Sequence, residues 1–237
     1  MTVALPAQTQ NGVTAVLVHG AWFDGSGWNK VAAELQRKGF NVAAAQIPLT
    51  SLGDDITAVR RVLARQEGPV VLVGHSYGGA AITAAGTGNP NVKALVYVAA
   101  IVPDEGENVG QVFQRVPPHP DAPALQPDAH GFLWVKADAF RNAIAPEATR
   151  EETDLLAAAQ KPISINCLGE VMTKPAWREK PSWFLIAEKD RMVSPDTQRF
   201  LAERMKSKVV SLACDHAPLV SRPGAVAKLI EDAAAAA

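Results

Sequence analysis

The segment VVLVGHSYGG, residues 70–79, joins an uninterrupted apolar run to a G-x-S-x-G motif. Val70–Val73 is continuous rather than alternating, which predicts a strand buried on both faces of a parallel sheet. The small residues from Tyr77 to Gly86 predict a helix that can pack closely against that sheet. A serine between such a strand and helix is typical of a strained turn that lifts a hydroxyl above the sheet. The segment therefore predicts Ser76 as a nucleophile.

Strand and helix patterns alternate on both sides of this motif. The apolar runs predict six strands, at residues 14–18, 42–47, 70–73, 94–99, 183–187 and 208–212. Helical patterns lie between or after them, at residues 28–38, 54–66, 77–86, 195–206 and 222–236. Ser26 is the predicted cap of the first helix, and Gly39 the residue that stops it. This order predicts an α/β fold with a doubly wound, mostly parallel six-stranded sheet.

The alternation breaks between the fourth and fifth predicted strands. Residues 104–181 are rich in proline near their start, with helical patterns at 137–144 and 151–160. We interpret the chain as a single domain over residues 1–237, with a core of 1–103 and 182–237 and a helical lid of about 104–181. The lid sequence carries large apolar residues, namely Phe113, Phe132, Leu133, Trp134, Phe140, Ile144, Leu155, Leu156, Ile165, Leu168, Met172 and Trp177.

This apolar set allows two interpretations. It can cover an active site with an apolar ceiling, as small-molecule pockets require, or it can form the core of the lid itself. On the first interpretation Trp134 is a candidate substrate contact from above. Trp22, which lies close to the first predicted strand, is the candidate contact from below.

Composition restricts the classes of partner. The chain has 237 residues and a formal net charge of −1, so it lacks the basic surplus that nucleic-acid binding requires. No apolar run approaches the roughly 20 residues that span a bilayer, and residues 1–10 lack the charged and apolar regions of a secretory leader. We therefore expect a cytoplasmic protein with a small-molecule substrate and no membrane partner; a homodimer is compatible with this.

The two cysteines, Cys167 and Cys214, are far apart and lack metal-ligand spacing. We expect two reduced thiols in apolar surroundings, with a disulfide or a catalytic thiol as the alternatives. No metal site is predicted.

Three motifs together resemble a known family. They are VHGAW at residues 18–22, GHSYGG at 74–79, and Asp215-His216 followed by Ser221-Arg222-Pro223. The chain resembles the α/β-hydrolase superfamily. Within it, the chain is similar to the branch of plant methyl-salicylate esterases, hydroxynitrile lyases and their small bacterial esterase-like relatives. The resemblance is weakest from about 109 to 176, and it implies a doubly wound sheet with catalytic residues in the order Ser, Asp, His.

The resemblance also implies partners for Ser76, whose hydroxyl needs a base to remove its proton. His216 follows the strand that ends near Leu212, the position expected of that base; the other histidines lie within motifs or in the lid. The orienting acid falls at Asp190, after the strand at 183–187, with Glu188 as its local rival. Asp215 is adjacent to His216 in sequence, which is poor geometry for bonding the same imidazole, so we expect it to shape the loop.

Acyl transfer also requires donors for the oxyanion. The first is expected on the residue after the nucleophile, the backbone N–H of Tyr77. Family matching places the second at the backbone N–H of Ala21, with that of Trp22 as the nearest rival. The side chains of Trp22 and Tyr77 can also line the pocket, or serve only in packing.

The favoured chemistry is ester hydrolysis through an acyl-enzyme on Ser76, acting on small to medium apolar or aromatic esters without a cofactor. One alternative is hydroxynitrile lysis, although the related lyases carry a lysine soon after the histidine and this chain has Ala217, Pro218 and Leu219 there. Cofactor-free perhydrolysis uses the same residues. A non-catalytic small-molecule receptor is an alternative from another class.

Overall fold

The computed structural model describes residues 12–236, so residues 1–10, for which the sequence predicts no leader, lie outside it. The strands are β1 (Thr14–Val18), β2 (Asn41–Ala45), β3 (Val70–His75), β4 (Val92–Val98), β5 (Phe132–Leu133), β6 (Ile163–Ser164), β7 (Ser182–Ala187) and β8 (Lys208–Leu212). Six of them form one parallel sheet in the order β2-β1-β3-β4-β7-β8. The predicted α/β fold is confirmed.

The strand order places the site. From β1 the chain first moves to β2 on one side and then to β3 on the other, so the direction of winding reverses between β1 and β3. In open α/β sheets a crevice opens at such a switch point, beyond the carboxyl ends of the strands. The loop after β1 and the turn at Ser76 after β3 both lie at this edge.

The helices are α1 (Asn29–Arg37), α2 (Leu52–Leu63), α3 (Gly78–Ala85), α4 (Val109–Phe113), α5 (Ala137–Ala139), α6 (Arg150–Ala158), α7 (Asn166–Gly169), α8 (Pro195–Arg204), α9 (Pro218–Ser221) and α10 (Pro223–Ala235). α1 packs on α10, and α2 packs on α3. Right-handed crossovers send α1 and α2 to opposite faces of the sheet. Both faces are therefore covered, which explains why every residue of β1 and β3 is buried.

One predicted helix cap is wrong. Ser26 lies inside a short 3-10 helix, Gly25–Trp28, that precedes α1, and it caps nothing. Asp24 accepts the backbone N–H of Ser26 at 2.8 Å instead, because the extra turn moves the helical start upstream. Gly39 follows α1 with a φ of +82°, a left-handed conformation that ends the helix as predicted.

The segment between β4 and β7 contributes no strand to the main sheet. It contains α4 to α7, a π-helical turn (Phe140–Ile144), a 3-10 helix (Ala176–Arg178) and the antiparallel pair β5 and β6. The backbone N–H of Ser164 donates to Leu49 O at 2.9 Å, which ties this segment to the loop after β2. Its division from the core as a lid stays a prediction.

No helix among residues 12–236 is long and apolar enough to cross a membrane.

Candidate active site

The turn after β3 is strained and tightly packed. Ser76 has a φ of +51°, in the left-handed region that side chains rarely adopt. A Cβ atom on Gly74 would lie 2.6 Å from Gly78 O, and one on Gly78 would lie 2.6 Å from His19 O. Both glycines are therefore needed for close approach of backbone to backbone. The turn is held by Ser76 N, which donates to Val98 O at 3.1 Å.

Ser76, His216 and Asp190 meet at the carboxyl edge of the sheet. The Ser76 hydroxyl lies 2.9 Å from His216 Nε2, and His216 Nδ1 lies 2.7 Å from an Asp190 carboxylate oxygen. The three residues follow β3, β8 and β7, so parallel strands bring distant positions to one edge. All three are buried. The tautomer that fits these contacts carries the proton on Nδ1 and leaves Nε2 free to accept the serine proton.

The Asp190 carboxylate accepts three further hydrogen bonds. The backbone N–H groups of Met192 and Val193 donate to one carboxylate oxygen at 2.7 and 2.9 Å. Gln198 Nε2 donates to the other oxygen at 2.8 Å, and the Gln198 amide is itself fixed by Ala187 N and Val193 O. These bonds fix the carboxylate oxygen that faces His216. Sequence analysis missed Gln198; a polar residue on the buried face of α8 is the signal that could have found it.

The carboxyls of Glu188 and Asp215 also lie near the site, and both bond groups other than the His216 imidazole. Glu188 bonds Arg199 and Ser211 on the outer side of the strand and does not contact His216. Asp215 accepts from Glu147 N at 2.8 Å, Ala217 N at 3.1 Å and the Ser221 hydroxyl at 2.7 Å. It therefore shapes the loop around His216, and its burial raises the pKa of its carboxyl.

Two buried histidines support the site from beneath. His75 Nε2–H donates to the backbone carbonyl of His216 at 2.7 Å, while burial lowers the pKa of His75 well below its usual range and keeps the ring neutral. His19 Nδ1–H donates to Gly20 O at 3.0 Å, and its Nε2 accepts from Ile47 N at 3.2 Å. Burial lowers the pKa of His19 to about 4.

The loop after β1 passes directly beside Ser76. A Cβ on Gly20 would lie 2.7 Å from Ser76 Cβ, so the residues after Gly20 lie close to Ser76. Within residues 12–236, the backbone N–H groups of Ala21, Trp22 and Tyr77 have no protein acceptor. Free N–H donors beside a serine are what an oxyanion hole requires. The geometry leaves both Ala21 and Trp22 as candidates for the second donor.

The Tyr77 side chain belongs to a buried polar cluster that sequence analysis missed. Its hydroxyl donates to Asp55 at 2.6 Å, and Asp55 also accepts Leu49 N at 2.7 Å and lies 3.7 Å from the Cys167 sulfur. Burial raises the pKa of both the Tyr77 hydroxyl and the Asp55 carboxyl. The partners are far apart in sequence, so no local pattern predicts the cluster. The cluster fixes the Tyr77 ring beneath the site.

A cavity of about 310 Å³ opens above Ser76 and His216. Its walls are mostly apolar, formed by Ala21, Trp22, Tyr77, Ile101, Val109, Gly110, Phe113, Gln114, Leu125, Pro127, Leu133, Ile163, Ile165, Leu168, Met192 and Val193. Trp22 lines it as predicted, and its Nε1–H donates to Leu133 O at 3.0 Å. Of the twelve apolar residues predicted for the lid ceiling, only Phe113, Leu133, Ile165 and Leu168 line this cavity.

Trp134 does not line the cavity, so its prediction as a substrate contact is corrected. Its side chain lies on the surface, where its Nε1–H donates to Asp128 at 3.0 Å. Leu133, its neighbour in β5, faces the cavity instead. Side chains alternate along an extended chain, so the residue after an inward Leu133 points outward.

Comparison with known proteins identifies the family of this chain. A family model described as "Alpha/beta hydrolase family" matches residues 15–229. The "Carbendazim hydrolyzing esterase" of Nocardioides sp. is 28% identical, covering 90% of this chain and 96% of its own length. "Methylesterase 8" of Arabidopsis thaliana is 23% identical over 88% of this chain and 84% of its own. The crystal structure of a pyrethroid hydrolase from Sphingobium faniae JZ-2 superposes with a TM-score of 0.81 at 26% identity, covering 94% of this chain and 98% of that chain.

Proposed function

Because the chain belongs to the alpha/beta hydrolase family, we propose that it is a carboxylesterase that cleaves small to medium apolar or aromatic esters through an acyl-enzyme on Ser76. The observation that carries the proposal is the contact of Ser76 Oγ with His216 Nε2 at 2.9 Å, at the floor of an apolar cavity. The relatives named for cleaving carbendazim or pyrethroids support an ester or related acyl substrate.

In the first half-reaction, the Ser76 oxygen attacks the ester carbonyl carbon while His216 Nε2 takes the hydroxyl proton. Asp190, 2.7 Å from Nδ1, stabilises the imidazolium that forms. The tetrahedral intermediate collapses as His216 returns the proton to the leaving alkoxide. The alcohol departs, and the acyl group remains bonded to the Ser76 oxygen.

In the second half-reaction, water takes the place of the alcohol. His216 removes a proton from the water as its oxygen attacks the acyl carbon, and then protonates the Ser76 oxygen as the acid leaves. In both halves the developing oxyanion is stabilised by the backbone N–H of Tyr77 and by that of Ala21 or its neighbour Trp22. Each such donor is worth roughly a hundred- to thousand-fold in rate.

The cavity defines the substrate class. Its volume of about 310 Å³ suits a small acyl or aromatic group, and its walls carry no lysine or carboxylate. Trp22 and Leu133, which are joined by a hydrogen bond, supply flat and branched apolar contacts to this cavity. Hydroxynitrile lysis is not favoured, since neither the cavity wall nor the residues after His216 provide a lysine for cyanide. A cytoplasmic location and a homodimer stay predictions.

The test is hydrolysis of p-nitrophenyl esters from acetate to octanoate by the wild type and by Ser76→Ala, with chelator throughout. We expect the wild type to turn over and Ser76→Ala and His216→Ala to lose activity to a similar extent. The double variant should be little worse, because the residues act as a unit. Ser211→Ala and His130→Ala, which change the same residue types outside both cavity walls, are matched controls and should retain activity.

A fluorophosphonate probe gives an independent readout. Covalent labelling of the folded wild type, lost in Ser76→Ala and kept in Ser211→Ala, is the expected result. Equal hydrolysis by the wild type and Ser76→Ala, or labelling that survives Ser76→Ala, would overturn the assignment of the nucleophile.

A further inference from the structure

A second cavity, of about 480 Å³, adjoins the catalytic cavity. The two cavities share Phe113, Gln114, Leu125 and Met192 in their walls, so these four residues form the boundary between them. The mechanism proposed above makes no use of this second space. The second space therefore begins where the wall of the catalytic cavity ends.

The outer wall is a proline-rich loop, residues 114–126, that connects α4 to β5. Pro117, Pro118 and Pro123 line the second cavity, and proline rings fix the backbone φ and so limit the motion of the wall. The loop is also tied across the cavity, because the Asp121 carboxylate lies 3.2 Å from Arg191 Nη1. A wall that is ordered before binding loses little entropy when a ligand fills the space.

The second cavity carries an unused cationic group. The Arg115 guanidinium lies 3.4 Å above the centre of the Phe200 ring, which holds it in place by a cation–π contact. None of the carboxylates among residues 12–236 pairs with it within 4 Å, and it donates no hydrogen bond to them. Arg191, the other cation of the wall, is occupied by Asn142 O at 2.6 Å and by Asp121. Of the two arginines in this wall, Arg115 is therefore the one whose donors remain for a ligand.

We propose that this second cavity is a binding compartment for the distal end of an elongated ester, an apolar chain that ends in a carboxylate or a similar anionic acceptor. The chain would run from the ester at Ser76, across Phe113 and Leu125, to the guanidinium of Arg115. The proposal rests on the proposed esterase function, because the compartment adjoins the cavity in which Ser76 would cleave the ester.

The first consequence is a preference for length. Each methylene that leaves water for an apolar wall favours binding by about fourfold. We expect kcat/KM to rise with chain length beyond the size that fills the catalytic cavity alone. Either substituent of the ester can occupy the compartment, so two series are measured. One lengthens the acyl chain of p-nitrophenyl esters from acetate to decanoate, and the other lengthens the alcohol of alkyl acetates in a pH-stat.

Ala122→Trp tests this consequence, because Ala122 lines the second cavity and not the catalytic one. The larger side chain should lower the ratio of kcat/KM for the longest to the shortest ester by about tenfold or more in one series. Ala129→Trp is the matched control, since Ala129 is exposed and lies in neither cavity wall. An unchanged ratio in Ala122→Trp, or an equal fall in both variants, would overturn the compartment.

The second consequence is a preference for negative charge at the far end. We expect an ester with a terminal carboxylate to be cleaved with higher kcat/KM than its terminal-methyl analogue in the same series. Arg115→Gln should lower that preference about twofold to fivefold, which is the effect on binding expected of an exposed ion pair. Added salt should lower the same preference in the wild type, because salt screens exposed charges. Arg65→Gln, an exposed arginine outside both cavities, is the control. A preference that survives Arg115→Gln would overturn the role of this cation.

Failure of the esterase function and failure of the binding compartment give different experimental results. No turnover of any ester and no labelling by fluorophosphonate would count against the esterase function itself. Turnover of acetate with no gain from length, in either series, would leave the esterase intact and refute the compartment.

Discussion

Replacing Asp190 by asparagine reverses the hydrogen bond to His216 and removes the one from Gln198, whose NH₂ then faces the NH₂ of the asparagine. The carboxylate accepts four hydrogen bonds, from two backbone N–H groups, from Gln198 Nε2 at 2.8 Å and from His216 Nδ1 at 2.7 Å. The oxygen that faces His216 is also the one that faces Gln198. The other oxygen accepts the two backbone N–H groups, so it has to remain an acceptor.

An asparagine at position 190 therefore keeps its oxygen toward the backbone and turns its NH₂ toward His216. The imidazole then has to accept on Nδ1 and carry its proton on Nε2, so it cannot take the proton of Ser76. The wrong tautomer in a comparable triad lowers kcat by about ten-thousandfold, or about 5 kcal/mol of transition-state stabilisation. We expect a loss of roughly three to four orders of magnitude in kcat with a small change in KM.

The assay is steady-state hydrolysis of a p-nitrophenyl ester, with fluorophosphonate labelling rates as a second measure and circular dichroism as a check on folding. Glu188→Gln is the matched control. Its carboxylate bonds Arg199 and Ser211 away from His216, so this variant should stay within about twofold of the wild type. Near-normal activity of a folded Asp190→Asn protein would refute the tautomer argument, and a larger loss in Glu188→Gln would move the acid to that residue.

Three further predictions concern stability and reactivity. His19 has a pKa of about 4 in the folded protein, against 6.5 in the unfolded chain, so unfolding takes up a proton at a pH between these values. The free energy of unfolding therefore falls by about 3 kcal/mol as the pH drops from 6.5 to 4. His19→Asn should flatten the slope of unfolding free energy against pH over that range, and an unchanged slope would contradict this. Gly78→Ala forces a Cβ within 2.6 Å of a backbone oxygen and should cost about 1–3 kcal/mol in chemical denaturation, whereas Gly224→Ala, which meets nothing within 4 Å, should be neutral. Cys167 and Cys214 are buried, and burial raises the pKa of each thiol to about 12. A disulfide reagent at pH 8 should therefore modify neither thiol until denaturant is added. Fast labelling of the native protein would contradict this prediction.

Local sequence patterns predicted the parts of this protein that depend on neighbouring residues. The continuous run at 70–73 specified a buried strand, and the glycines at 74 and 78 specified a turn too tight for side chains. The alternation of strands and helices then predicted the parallel sheet, and three motifs predicted the family, which the comparisons confirm.

Errors arose where a local pattern was used to infer orientation or a boundary. Trp134 was expected over the active site because it is large and apolar, yet β5 is only two residues long and its register against β6 turns Leu133 inward instead. Ser26 was expected to cap α1, but it lies inside a 3-10 helix that precedes α1 and is itself capped by Asp24. In both cases the residue type was suitable, and a shift of one or two positions changed the outcome.

What the sequence alone determined is the tight turn at Ser76, the fold class and the order of the candidate residues along the chain. Only the tertiary structure decided which of two nearby carboxylates, at 188 or 190, meets His216, since both follow β7 and differ in the direction each side chain takes. It also created the Gln198 and Asp55 contacts and the second cavity at Arg115. Local patterns record the periodicity of a chain, whereas hydrogen bonds and cavities between distant segments exist only once the sheet has brought those segments together.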